Sequence, residues 1–172
     1  MWWIVLIFGG LASASDLAER DRLSGELKTL AAKSRWVGVE RVYQDLVKLE
    51  VEITARAHQL AGEAARALGD VSAARGRYAV AAVTSVEARE VLEDLDTRYG
   101  QVELRVRGAR LPVLLRPHMP FMTDERVTIE RARAQLLGER RFEGWLPKGT
   151  YEIDGHVFEV NPEGGMVQLV VE

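Results

Sequence analysis

The sequence predicts an α+β protein, in which a stack of about five antiparallel helices precedes a small antiparallel β-sandwich with one inserted helix. Three observations support this prediction. No proline occurs from Asp21 to Tyr99, and apolar residues recur there every three or four positions, which is the helical period. After Gly100 the apolar period falls to two, as in half-buried strands. Residues 124–137 return to the helical period before further strand patterns follow.

The composition is typical of a folded globular chain. Of its 172 residues, 47% are hydrophobic and 28% are charged, which is enough apolar material for a core. The net charge of −3 is spread evenly, with 13 basic and 15 acidic residues in the first hundred positions and 10 and 11 in the remainder. Nucleic-acid binders concentrate basic residues on one face, so we expect no nucleic-acid partner. The chain has no cysteine, which excludes disulfides and thiol catalysis.

The first residues are typical of a secretory signal. An apolar run from Trp2 to Leu11 is too short to span a bilayer, which needs about 20 residues. It leads into Ala12-Ser13-Ala14, a small-x-small site of the kind that signal peptidase cleaves. We therefore predict a signal peptide at 1–14 and a periplasmic or secreted location. The alternatives are an uncleaved N-terminal anchor and a buried helix. The chain would contact a membrane only through such an anchor.

Five groups of apolar residues at helical spacing mark a helical domain at 15–100. Short breaks at Ser34-Arg35-Trp36 and at Gly69-Asp70 predict that helices adjacent in sequence are antiparallel neighbours. The five groups are Leu23, Leu27 and Leu30; Val39, Val42, Tyr43 and Leu46; Ile53, Ala57, Leu60, Ala61, Ala64 and Leu68; Val71, Ala74, Tyr78 and Ala81; and Ala88, Leu92, Leu95 and Tyr99.

Two helix pairs repeat a pattern of a small or apolar residue, a three-residue gap and a tyrosine. Val39 and Ala74 are 35 positions apart, as are Tyr43 and Tyr78. Small residues are needed where two helix axes approach closely, and an aromatic ring fills the space where they splay. The pattern in the second pair consists of Gly62, Ala65, Gly69, Ala74, Tyr78 and Ala81.

This pattern resembles tetratricopeptide repeats, whose period is about 34 residues. The first pair departs from the family's pattern, with Val39 and Leu46 in place of alanines and no glycine in its turn. The resemblance implies a concave groove, formed by the first helix of each pair, that binds another protein. A generic bundle of helical hairpins is the alternative.

Strand patterns and turn signals predict a β-domain at 101–172. The predicted strands are "QVELRV", "LPVLLR", "RFEGWL", "TYEI", "HVFEV" and "MVQLVVE". A helix at 124–137, with Thr123 as its cap and Gly138 at its end, interrupts them. The run "GWLPKGTYEIDGHVFEV" resembles PEGA and carboxypeptidase-regulatory-like, prealbumin-type β-domains. That resemblance implies an extracytoplasmic bacterial accessory domain without catalysis.

No pattern in the sequence indicates an active site. His58, His118 and His156 show no metal-ligand spacing, and no serine lies in a nucleophile motif. We therefore expect neither enzymatic activity nor a cofactor or metal. A hydrolase would need clustered titratable groups in a cleft, which the sequence does not indicate.

Two sets of residues are candidates for binding a partner protein of the cell envelope. The first set lies on the first helix of the better repeat and consists of Arg56, Gln59, Glu63 and Arg66. The second set lies in the loop "LLRPHMPFMTDE" and consists of Met119, Phe121 and Met122, which either dock a partner or tie the inserted helix to the rest of the protein. An alternative function is glycan or peptidoglycan binding by the β-domain, if Trp145 and Tyr151 project outward.

Overall fold

A computed structural model describes residues 13–107, 112–116 and 122–172. The predicted signal peptide falls almost wholly on residues 1–12, which lie outside the described residues, as do Met119, Phe121 and His118. The described helices are α1 (Ala14–Ala32), α2 (Trp36–Lys48), α3 (Ala55–Ala67), α4 (Val71–Ala81), α5 (Val86–Arg98) and α6 (Thr123–Glu139). The described strands are β1 (Tyr99–Val106), β2 (Leu114–Leu115), β3 (Arg141–Pro147), β4 (Gly149–Ile153), β5 (His156–Val160) and β6 (Val167–Val171).

The predicted α+β class, with its N-terminal helical stack, is confirmed. Helices α1 to α5 pack each against the next, and two three-stranded sheets follow in the orders β3-β1-β6 and β2-β4-β5. The sheets are not wholly antiparallel, because β6 runs parallel to β1. The C-terminal strand therefore joins the sheet as a parallel neighbour of its first strand.

Several predicted boundaries differ from the structure. Tyr99 begins β1 instead of continuing α5, because its extended backbone lets it pair with Pro147. Met122, not Thr123, is the N-cap of α6. That helix passes through Gly138 and ends at Glu139, with Arg140 as its C-cap in the left-handed conformation. Of the predicted strand "LPVLLR", the structure describes pairing only for Leu114–Leu115, which pair with β4.

Helix α1 begins inside the predicted cleavage site. Ser13 is its N-cap, and the Ser13 hydroxyl accepts a hydrogen bond from the Asp16 amide in a complete capping box. Cleavage after Ala14 would remove this cap. No helix among the described residues combines the length and apolarity needed to cross a membrane.

Three clusters of buried residues form the core. One lies between α1, α2 and α3, and a second joins α3, α4 and α5 to Tyr99 and the partly buried Trp145. The third lies inside the β-domain, where Ile129, Ala132 and Leu136 of α6 pack on the sheets. Trp145 in β3 thus contacts the core of the helical stack, which links the two parts of the chain.

Candidate functional site

The turn between α3 and α4 sets the position of α6. Gly69 has a φ of +76°, and the Asp70 amide donates to the Ala65 carbonyl at 2.8 Å, closing the end of α3. A Cβ atom at Gly69 would lie 2.8 Å from the backbone carbonyl oxygen of Val127 in α6. Two features therefore require glycine at position 69: the positive φ of the turn, and the close approach of the α6 backbone.

Asp70 fixes this arrangement with its side chain. One carboxylate oxygen accepts the Ala73 amide at 2.9 Å and so caps α4. The other accepts Arg131 of α6 at 2.7 Å. A single carboxylate thus holds α4 and α6 together.

A groove runs between the C-terminal half of α3, the start of α2 and the first turns of α6. We call it the α3–α6 groove, and its volume is about 540 Å³. It is lined by Trp36, Glu63, Arg66, Ala67, Thr123, Asp124 and Val127. Trp36, Ala67 and Val127 supply an apolar surface, and Glu63, Arg66 and Asp124 supply charged groups. This size and composition suit one large side chain of a bound segment.

The structure places two of the four predicted α3 residues in this groove. Glu63 and Arg66 line it, whereas Arg56 is exposed and Gln59 is half-buried nearer the start of the helix. Among the described residues, none of these four side chains forms a hydrogen bond or an ion pair. Met122 is 59% exposed and directly precedes the groove residue Thr123.

Charged residues of α3 influence the pKa of the Tyr78 hydroxyl in α4. Burial raises the pKa of Tyr78 to about 12; the negative charge of Glu63 adds to this rise, and Arg66 and Arg56 oppose it. The ring of Tyr78 is itself buried. Its hydroxyl therefore lies within the electrostatic field of the residues predicted to bind a partner.

A network of ion pairs, which the sequence did not indicate, anchors the first turn of α6. Arg98 of α5 binds Asp124 at 3.1 Å and Glu125 at 3.5 Å, and Arg116 binds Glu125 at 3.0 Å. Burial acts to raise the pKa of Asp124, but the hydrogen bonds and charge of Arg98, the Glu125 amide and the charge of Arg66 together lower it. Arg98 and Asp124 are 26 positions apart, so no local pattern reveals the pair.

A second polar cluster lies inside the helical stack. The Tyr43 hydroxyl is 2.9 Å from Nδ1 of His58, and the Arg77 guanidinium lies 4.3 Å from the centre of the Tyr43 ring. Arg77 also donates to Glu40 and to the Ala61 carbonyl. Burial, assisted by the charge of Arg77, lowers the pKa of His58. This cluster links α2, α3 and α4 inside the stack.

The other residues singled out in the repeat are buried between helices. Gly62, Ala65, Ala74 and Ala81 lie where α3, α4 and α5 come together, and Tyr78 is 1% exposed among them. His156 is exposed in β5. No group of three or more potential metal ligands occurs within residues 13–107, 112–116 and 122–172.

The two aromatic residues considered for glycan binding are not open platforms. Tyr151 is fully buried and donates to the Pro147 carbonyl at 2.7 Å. Trp145 is half-buried, and the Arg75 guanidinium covers its ring at 3.7 Å. The cleft of about 430 Å³ beside Trp145 is lined by Asp70 and Arg131, which already bind each other.

Comparisons of the chain with models of protein families, with curated proteins and with solved structures find no match.

Proposed function

We propose that this chain is a non-catalytic bacterial adaptor of the periplasm or the secreted space, and that it binds a segment of an envelope protein in the α3–α6 groove. The helical stack acts in this proposal as a tetratricopeptide-like scaffold. The β-domain supplies α6, which forms the second wall of the groove.

One observation carries the proposal. Glu63 and Arg66 line an apolar groove, and among the described residues their side chains form no hydrogen bond or ion pair. Elsewhere in the chain many arginines are neutralised internally, as Arg77 is by Glu40 and Arg98 is by Asp124. A free charge beside an apolar surface is what a binding site offers to a partner, since the charge selects orientation and the apolar surface supplies affinity.

The charges define the bound segment. Asp124 is already paired with Arg98, and within the described ranges Arg66 forms no ion pair, although its charge helps to lower the pKa of Asp124. The segment that fits best inserts one large apolar side chain against Trp36, Ala67 and Val127 and places an acidic residue next to Arg66. A basic or polar residue of the segment would then face Glu63.

A random peptide library displayed on phage, selected on the immobilised full chain, tests this proposal. We expect enriched peptides to share an apolar residue beside an acidic one and to lose binding to Arg66→Glu and Ala67→Glu. The matched controls are Arg107→Glu and Ala79→Glu, exposed positions outside the groove. Peptides that bind all four variants alike would contradict the groove as the binding site.

The location is tested separately. Intact-mass measurement of protein exported by a Gram-negative host is expected to show loss of residues 1–14. A full-length product that stays with the membrane fraction would contradict the signal-peptide proposal without bearing on the groove.

A further inference from the structure

Strand β6 is an edge of its sheet. It pairs with β1 over Val167–Val171, and no other strand of the described residues is hydrogen-bonded to it, although β5 contacts it. An edge strand presents a row of backbone N–H and C=O groups that need partners. The question is whether those groups stay in water or pair with another chain.

The direction of the backbone groups follows from one hydrogen bond. The carbonyl of Val171 accepts the amide of Arg107 at 2.8 Å, so the backbone groups of Val171 point toward β1. Because these directions alternate along a strand, the groups of Leu169 and Val167 also point toward β1. Those of Gln168 and Val170 point away from it, to the open edge.

This edge lacks the features that normally prevent pairing. The six residues Met166–Val171, "MVQLVV", contain no charge, proline or glycine and have high strand propensity. The opposite edge strand of the same sheet, β3, carries Arg141 and Glu143 and packs against α6. Charges and a covering helix are common protections of a sheet edge, and among the described residues β3 has them whereas β6 does not.

The edge is also complementary to itself. In an antiparallel pair of two β6 strands centred on Leu169, Val167 faces Val171 of the partner subunit and Gln168 faces Val170 of the partner subunit. Val167, Leu169 and Val171 then stay on the inner face, where they pack on the apolar core. Gln168 and Val170, which carry the free backbone groups, form the hydrogen-bonded pair. No like charges meet within the paired strands.

We propose that two copies of this chain associate through antiparallel pairing of their β6 strands, centred on Leu169. The β3-β1-β6 sheets of the two copies then become one continuous sheet across a two-fold axis. Each copy keeps its own α3–α6 groove, so the dimer presents two grooves. This pairing goes beyond the proposed adaptor function and does not depend on it.

Charge pairs at the outward positions test the pairing. On β1, Glu103 lies next to Gln168 and Arg105 lies next to Val170. In the double variant Gln168→Lys with Val170→Glu, each new charge is opposite to the charge of its neighbour on β1. The two new charges are also opposite to each other across the proposed interface. The double variant Gln168→Lys with Val170→Lys sets like charges against each other there.

Sedimentation velocity of the full chain over a concentration series measures the result. We expect a dimer for the wild type and for the opposite-charge variant, and a dissociation constant at least about tenfold higher for the like-charge variant. Circular dichroism checks that all three are folded. A wild type that stays monomeric at every concentration, or equal association of both variants, would overturn the proposal, and a strand from a different protein would then be the occupant to test.

Cross-linking tests the register, because the chain has no cysteine of its own. A mixture of Gln168→Cys and Val170→Cys chains is expected to form disulfide-linked heterodimers, since these positions face each other at a distance a disulfide can bridge. Each variant alone is expected to cross-link less. Equal cross-linking by an exposed control, Val157→Cys, would contradict the register.

Discussion

The ring of Tyr78 in α4 packs directly on the backbone of Gly62 in α3. A Cβ atom at Gly62 would lie 2.9 Å from Cε2 of Tyr78 and 3.1 Å from two further ring carbons. The ring is 1% exposed, so it has little room to move away. The absence of a side chain at position 62 therefore determines how closely the two helices approach.

Gly62→Ala is expected to destabilise the protein. Alanine gains up to about 1 kcal/mol in a helix interior over glycine, but overpacking a buried contact costs about 1–3 kcal/mol. We therefore expect a net loss in the free energy of unfolding, measured by urea denaturation. The matched control is Gly76→Ala in α4, where a Cβ atom meets nothing within 4 Å, and it is expected to stabilise by about 0.4–1 kcal/mol. A Gly62→Ala variant as stable as Gly76→Ala would contradict the close approach.

His58 is expected to make stability depend on pH. Burial and the charge of Arg77 lower its folded-state pKa below the ordinary value of 6.5. The folded chain therefore prefers neutral His58, so its contribution to stability is present above pH 6.5 and is lost as the pH falls toward the folded-state pKa. Urea denaturation between about pH 7 and pH 5 should show a steeper fall for the wild type than for His58→Gln.

The control for this pH effect is His156→Gln, which changes an exposed histidine. It should retain the wild-type pH dependence. If both variants follow the wild type, His58 does not carry the effect.

Arg98 is expected to be the most important ion-pairing residue where α6 meets the helical stack. Its side chain is 17% exposed, and its partners Asp124 and Glu125 are 23% and 12% exposed. Arg98→Ala leaves two poorly solvated carboxylates without this partner. We expect the free energy of unfolding to fall by about 2–3 kcal/mol, a value between those typical of surface and of buried ion pairs.

The control for Arg98 is Arg22→Ala on the exposed face of α1, where the arginine side chain is 59% exposed. Its ion pairs lie in water and are expected to contribute little to the free energy of unfolding. Equal losses for the two variants, measured by urea denaturation, would show that Arg98 acts as a surface residue.

The helical and β parts are expected to unfold together. Trp145 packs on the core of the stack, the Lys148 amide donates to the Arg98 carbonyl at 2.8 Å, and α6 contacts Gly69. Calorimetry of chain 15–172 should therefore show one transition, and the isolated fragment 15–100 should be partly helical or aggregated. A stable, monomeric 15–100 fragment would indicate independent domains instead.

Local sequence patterns predicted the helices and most strands because each depends on nearby residues. The glycine and aspartate of the Gly69-Asp70 turn end one helix and cap the next, which spacing alone reveals. Boundaries were less predictable where a tertiary partner decides them. Tyr99 fits the helical period of α5, but pairing with Pro147 of β3 draws it into β1.

The residues that line the α3–α6 groove could be predicted only in part. Glu63 and Arg66 follow from the polar face of α3, because a helix repeats its faces with a fixed period. The opposite wall, with Asp124 and Val127, could not be derived, because nothing in the period of α6 indicates which helix it meets. Its docking depends on contacts with Gly69, Asp70 and Arg98, each more than 20 positions away in the chain.

The sequence by itself determined the α+β class, the helical stack and the small residues around Tyr78, since these follow from apolar period and from side-chain size. Only the tertiary structure decided that α6 lies against the α3–α4 turn, that β6 runs parallel to β1 and that Tyr151 is buried. The physical reason is the same in each case. Packing between distant segments is set by shape, charge and backbone pairing that form only when the whole chain has folded, and no local period encodes them.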